Sequence, residues 1–69
     1  MYIIIELQTT GGQTANIVTT KDSKEAALSK YHSILAAAAT SKVEYHTALV
    51  MDPEGKYLAR ECYKHINEE

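Results

Sequence analysis

A turn in the C-terminal half constrains the fold of this chain more than any other segment. Residues 52–55 are Asp-Pro-Glu-Gly. Proline presets the second position of a type I turn, and glycine takes the left-handed fourth position. The flanking segments, 43–51 (VEYHTALVM) and 56–66 (KYLARECYKHI), carry the β-branched and aromatic residues that are typical of strands. We therefore predict a β-hairpin with a one-residue bulge at Gly55.

The bulge predicts a register for these two strands, with Asp52 facing Lys56. Cross-strand aromatic pairs and pairs of opposite charge favour this register, and a loop without the bulge would shift it by one residue. The expected pairs are Met51 with Tyr57, Leu49 with Ala59 and Tyr45 with Tyr63 on one face, and Glu44 with Lys64 and His46 with Cys62 on the other. His46, Arg60, Cys62 and Lys64 would then share a face.

The N-terminal half predicts a second hairpin. Residues 1–8 and 15–20 have strand character, and Gly11-Gly12 between them supplies the positive φ of a tight turn. Strong helix formers follow from residue 23 to 39. The element order β-β-α-β-β predicts a single α+β domain over residues 1–69, with one helix packed on one face of a four-stranded, mainly antiparallel sheet.

The helix pattern predicts a cap and two distinct sides. Asp22, with Glu25 three residues later, has the spacing of a capping box. The side expected to face the sheet carries Ala27, Leu28, Tyr31, Ile34, Leu35, Ala38 and Ala39. The other side carries the small residues Ala26, Ser29, Ser33, Ala36, Ala37 and Thr40. That small-residue stripe fits either a helix–helix contact between subunits or an ordinary solvated helix surface.

The length of the chain indicates that it self-associates. A domain of 69 residues buries a marginal core, and one cysteine excludes an internal disulfide. Both faces of the predicted sheet carry large apolar groups, yet one helix covers only one face. One face would hold Tyr2, Ile4, Ala48, Val50 and Leu58, and the other Ile3, Ile5, Leu7, Leu49 and Met51. We therefore expect a homo-oligomer, a dimer or higher, that forms through the uncovered face.

Composition argues against several classes of partner. Seven basic and nine acidic residues give a net charge of −2, without the concentrated basic face of a nucleic-acid binder. No apolar run reaches the length of a membrane span, and the N-terminal segment lacks the features of a signal peptide. Together with the lone thiol, these observations predict a cytoplasmic protein that binds neither nucleic acid nor membrane.

The chain offers little for metal binding or catalysis. Metal sites need three or four converging ligands, and His46 with Cys62 supplies two. Cys62 could be a nucleophile with His46 as its base, but an open strand face lacks oxyanion donors. A metal-independent phosphodiesterase that uses His46 or His65 as acid and base is a further alternative. We predict no cofactor and a protein that is not an enzyme.

The run SKYHSILAAAATSKVEYHTALVMDPEGKYLARECYKH, together with MYIIIELQTT and ANIVTT, resembles a group of small uncharacterised proteins from phages and prophages of gut Clostridia-type bacteria. The resemblance covers nearly the whole chain and supplies no catalytic residues. It implies a phage-encoded accessory protein in the cytosol of a bacterial host. We therefore expect a non-enzymatic binder that counteracts host defence, by sequestering a small nucleotide signal or by blocking a host defence protein.

A nucleotide needs aromatic surfaces for its base and Arg or Lys for its phosphates. Tyr2, His46, Arg60 and Lys64 could share the uncovered sheet face and are the candidate ligand-binding residues. Arg60 and Lys64 could equally be solvated strand residues that pair with Glu44 or Glu61. The alternative function is a virion assembly or structural component whose open sheet adds to a larger ring.

Overall fold

The structure is a computed structural model that describes residues 1–65. It contains one four-stranded antiparallel sheet with the strand order β2-β1-β3-β4, and one helix packed against it within those residues. The predicted α+β fold is therefore confirmed. The elements are β1 Tyr2–Thr10, β2 Gln13–Lys21, α1 Lys24–Ala38, β3 Tyr45–Met51 and β4 Tyr57–Lys64.

The first hairpin is regular. Gly11 and Gly12 form its two-residue loop with φ values of 60° and 78°, which match the positive φ that a tight hairpin turn requires at both positions. β1 and β2 stay in register without interruption from Thr10 opposite Gln13 to Tyr2 opposite Lys21. At the loop, each strand extends two residues beyond its predicted limit, because the pairing continues as far as Thr10 and Gln13.

The turn of the second hairpin confirms the predicted bulge. The Gly55 amide donates to the Asp52 carbonyl at 3.0 Å, and the Asp52 amide donates to the Lys56 carbonyl at 3.0 Å. Gly55 has a φ of 87°, which places it in the left-handed region. The Asp52 carboxylate accepts further hydrogen bonds from the amides of Glu54 and Lys56, each at 2.9 Å.

Beyond the turn, the predicted register of β3 and β4 is wrong by one residue. Met51 pairs with Tyr57 as expected, but the next pair is Val50 with Ala59. Leu58 is therefore an extra residue in β4, a second bulge that opposes no partner of its own.

Every pair past this bulge differs from the prediction. Leu49 lies opposite Arg60, Tyr45 opposite Lys64, and His46 opposite Tyr63 in place of Cys62. Glu44 accepts a backbone hydrogen bond from His65 at 2.8 Å, so Lys64 is not its partner. Ile66, the last residue of the predicted fourth strand, lies outside the described residues.

The helix begins one residue later than its predicted cap implies. Ser23 is the N-cap, and its hydroxyl accepts a hydrogen bond from the Ala26 amide at 3.1 Å. Asp22 precedes the cap and does not fill that role. Ala39, which was expected on the buried side, is exposed because the helix ends at Ala38.

The core lies between the helix and the central strands β1 and β3. Its buried members are Ile4, Ala27, Tyr31, Ile34, Ala48 and Val50, with Tyr2, Leu28, Leu35 and Ala59 packed around them. The small residues of the opposite helix side are all exposed in the single chain. No helix in residues 1–65 combines the length and the apolar character that crossing a membrane requires.

Candidate functional site

The sheet face that the helix does not cover carries a band of apolar side chains. Side chains alternate between the two faces of a strand, so the residues that neighbour the buried positions Ile4, Ala48 and Val50 point away from the helix. They form what we call the apolar band: Ile3, Ile5, Leu7, Leu49 and Met51. All five are half-buried by one another and by their neighbours. The predicted distribution of apolar residues between the two faces is thereby confirmed for the residues in β1 and β3.

Strand pairing extends this uncovered surface, which we call the open face, toward both edges. Val18 pairs with Ile5 and is 59% exposed at the β2 side. On the β4 side, Tyr57 pairs with Met51, and Arg60 pairs with Leu49. The Arg60 guanidinium carbon lies 5.7 Å from the centre of the Tyr57 ring, which is within the range of a cation–π contact.

A depression of about 490 Å³ lies beside Arg60, where Thr47 and Cys62 pair across β3 and β4 and Glu61 completes the lining. Its lining residues carry a guanidinium, a hydroxyl, an exposed free thiol and, at Glu61, a carboxylate. A guanidinium and a hydroxyl can both donate hydrogen bonds to an anion such as a phosphate. Arg60 and Thr47 therefore offer donors for an anion next to an aromatic ring on the open face, whereas Glu61 pairs with the buried Ala48 and belongs to the opposite face.

The four predicted ligand residues do not share this face. Arg60 and Lys64 lie on the open face, because they pair with Leu49 and Tyr45. Tyr2 and His46 lie on the helix-covered face. The expectation of one common site is wrong because the Leu58 bulge moves His46 and Arg60 to opposite faces. The aromatic ring that does adjoin Arg60 is Tyr57, which sequence reasoning missed as a ligand-site residue.

His46 belongs to a buried polar cluster beneath the end of the helix. Its side chain is nearly inaccessible, with 3% of the residue exposed. Nε2 donates a hydrogen bond to Glu6 Oε2 at 2.6 Å, and Nδ1 lies 3.0 Å from the Ser41 hydroxyl. Gln8 Nε2 donates to the same Glu6 oxygen at 2.9 Å. The pairing of Gln8 with His46 and of Glu6 with Ala48 brings these side chains together on one face.

The environment of Glu6 favours its ionised form. Burial raises the pKa of the carboxyl, but the hydrogen bonds from His46 and Gln8 and the electrostatic attraction of His46 and Lys30 lower it more. The pKa of Glu6 is therefore below its usual value. A carboxylate can accept both hydrogen bonds at Oε2, whereas protonation would remove much of that capacity.

The order Ser41–His46–Glu6 is also that of a nucleophile, a base and an orienting carboxylate. Its surroundings do not suit acyl transfer. The Ser41 hydroxyl accepts from the Val43 amide at 3.4 Å, and the amides of Ser41 and Glu44 donate to Ala38 and to the Thr10 hydroxyl. A helix C-terminus, which carries partial negative charge, precedes the serine. The cluster has a structural role: through Ser41, His46 and Glu6, it links the loop between α1 and β3 to β1.

His65 has a comparable structural role at the same end of the helix. Its Nε2 donates to the Ala38 carbonyl at 2.7 Å, which is a second hydrogen bond to a carbonyl that also accepts from the Ser41 amide at the helix C-terminus. Its ring stacks on Tyr63 with centroids 6.3 Å apart. Within residues 1–65 there is no group of three side chains that could hold a metal ion.

Comparison of the chain with protein-family models, with curated proteins and with solved structures finds no match in any of the three. The geometry of the two sheet faces is accordingly the basis for a functional proposal.

Proposed function

We propose that this chain is a non-enzymatic binding protein that works as a homo-oligomer, with the open face as its interaction surface. The observation that supports the proposal is the apolar band, which leaves Leu49 and Met51 at the centre of the sheet without a covering layer. An antiparallel face that meets only water is normally polar. A second copy of the chain is the partner that covers this face.

The dimensions of the face agree with a dimer. Four strands about 4.8 Å apart and about eight residues long, at about 3.3 Å per residue, span about 500 Å². Two copies packed face to face would therefore bury about 1,000 Å², which is at the lower limit for a specific interface. A domain this small also gains the most from burying a further apolar layer.

The polar margin of the open face suits an anionic ligand. Arg60 and Lys64 lie on the edge strand β4, so in a face-to-face dimer they would line the rim of the interface between the two copies. With Thr47 they can contact phosphate oxygens, while Tyr57 offers a ring for a base. More specifically, we propose that the protein supports a phage by sequestering a small nucleotide signal in the cytosol of the bacterial host. Alternatively, the same polar margin would bind and block a host defence protein.

The first test is the solution mass of the purified protein by light scattering, together with a native mass spectrum. We expect a discrete oligomer. Leu49→Lys should lower the solution mass of this oligomer, because the charge falls in the centre of the apolar band. Ala36→Lys, on the exposed side of the helix, is the matched control and should keep the wild-type mass. If Ala36→Lys dissociates the oligomer and Leu49→Lys does not, the small-residue stripe is the interface and the open-face proposal fails.

The ligand is tested on the same samples. A co-purified molecule of nucleotide mass should be lost in Arg60→Gln and kept in Lys56→Gln, which removes a charge from the turn instead. An oligomer without any bound molecule contradicts sequestration and favours the protein-blocking role. Rings or filaments that ignore small molecules would favour a virion assembly component.

A further inference from the structure

The outer edge of β2 is an unpaired and regular strand edge that carries no charge before its last residue, Lys21. β2 pairs with β1 on one side, and within residues 1–65 nothing pairs with its other side. Residues 13–18 are all exposed. Ile17 and Val18, which point to opposite faces, are 52% and 59% exposed.

The hairpin geometry shows which backbone groups point outward from this edge. In a hairpin with a two-residue loop, the residues that flank the loop exchange both backbone hydrogen bonds, and hydrogen-bonded pairs then alternate along the strands. Thr10 and Gln13 flank the loop, so the odd-numbered residues of β2 bond to β1. The amide and carbonyl groups that point outward belong to Thr14, Asn16, Val18 and Thr20.

The other edge of the sheet differs in ways that prevent pairing. β4 carries Arg60, Glu61 and Lys64 and is interrupted by the bulge at Leu58. Charges and bulges are common protections of edge strands. β2 has no bulge, because its register with β1 is unbroken, and its one charged residue, Lys21, is the last of the strand. The two edges of one sheet are thus protected unequally.

We propose that β2 pairs antiparallel with β2 of a second copy, around a two-fold axis at Ile17. In this register Asn16 faces Val18 of the second copy and Thr14 faces Thr20, so all four outward residues form hydrogen-bonded pairs. Ile17 meets its own counterpart on the helix side. The result is a continuous eight-stranded sheet with an isologous interface.

The side chains of β2 are compatible with this pairing. The two Ile17 side chains lie at a pair that is not hydrogen-bonded, where side chains approach closely. The charge of Lys21 lies opposite Gln13 of the second copy, so like charges do not meet. A self-complementary strand identifies a second copy of this chain, in preference to an unrelated peptide, as the partner.

This interface is separate from the open face and independent of the proposed function. A two-fold axis perpendicular to the sheet keeps both helices on one side and both open faces on the other. Pairing along β2 therefore leaves the open faces uncovered, side by side, and doubles their width. Contact through the edges and contact through the faces can occur in the same assembly.

Amide hydrogen exchange, measured by NMR on the full chain at several concentrations, tests the pairing. Outward amides have no acceptor in the single chain and should exchange rapidly when dilute. At a total protein concentration about ten times the dissociation constant, about one fifth of the chains remain monomeric, so exchange at Asn16, Val18 and Thr20 should be slowed roughly fivefold. Packing through the open face supplies no acceptors to these amides, so the measurement separates the two interfaces.

A proline at position 16 provides the matched variant. Asn16→Pro removes an outward amide that no bond in the single chain uses, and edge strands tolerate proline at such positions. It should abolish the concentration-dependent protection of Val18 and Thr20, whereas Asn16→Ala should keep it. If the outward amides exchange rapidly at every concentration, the proposed β2 pairing is wrong, even if the solution mass shows an oligomer. If Asn16→Pro does not fold, the wild-type exchange rates alone decide.

Discussion

His46 Nε2 lies 2.6 Å from Glu6 Oε2, where the His46 side chain is almost inaccessible to water and Glu6 is half-buried. The two residues are forty positions apart in the chain and meet because β1 and β3 are neighbours. Ser41 completes the contact from the loop that follows the helix. Three separate segments are thereby joined through one imidazole ring.

The first prediction concerns this imidazole. His46→Ala leaves the Glu6 carboxylate and the Ser41 hydroxyl without their buried partner, and such a loss costs about 1–3 kcal/mol. We expect the free energy of unfolding in urea to fall by that amount. His32→Ala, at an exposed position on the helix, is the control and should change it by less than about 0.5 kcal/mol. Equal losses in the two variants would mean that the cluster is not stabilising.

The second prediction follows from the lowered pKa of Glu6. A carboxyl whose pKa is lower in the folded state stabilises the fold above its unfolded pKa, and that stabilisation disappears as the pH falls through the folded pKa. The melting temperature should therefore decline in acid, below about pH 4.3. Glu6→Gln should show a shallower decline and a lower melting temperature at neutral pH. Glu25→Gln, at an exposed position in the first helical turn, should follow the wild-type profile.

The third prediction distinguishes two neighbouring residues at the start of the helix. Ser23→Ala removes the hydroxyl that accepts from the Ala26 amide, and loss of an N-cap costs about 0.5–2 kcal/mol. Asp22→Ala should be nearly neutral, because Asp22 does not supply the cap. Denaturation midpoints of the two variants measure the difference. A larger loss for Asp22→Ala would restore the capping box expected from the sequence.

The fourth prediction concerns the turn at Gly55, whose φ is 87°. An added Cβ would meet no atom within 4 Å, so the cost of Gly55→Ala comes from the backbone conformation alone. A left-handed conformation costs a residue with a side chain about 1–2 kcal/mol. Glu54→Ala, one position earlier and exposed, should have little effect on the unfolding midpoint. A neutral Gly55→Ala would indicate that the turn can change its type.

The order of elements, both turns and the apolar residues of each face in the central strands could be predicted from the sequence. Local signals suffice for these features. Paired glycines and the Asp-Pro-Glu-Gly turn fix where the chain reverses, and alternation assigns Ile3, Ile4 and Ile5 to their faces. Each of these signals spans only a few residues, so it can be interpreted without knowing which strands pair with each other.

The site was harder to predict because it depends on pairing. The residues around Leu58 carry no sequence signal for a bulge. The one extra residue there places His46 and Arg60 on opposite faces of the sheet. Glu6 and Ser41 were missed for a related reason. The one available signal was that Glu6, by alternation from Ile4, is an acidic residue on the face that packs against the helix, where a buried charge needs a partner.

The strand order also determines the cooperativity of unfolding. β1 with β2 and β3 with β4 are two local hairpins, and the ladder between β1 and β3 is what joins them into one sheet. An isolated two-stranded hairpin is marginally stable at best in water. The helix packs chiefly on β1 and β3, across that junction. Neither half has a core of its own, so the protein should unfold in a single cooperative step, and a fragment containing one hairpin should not remain folded.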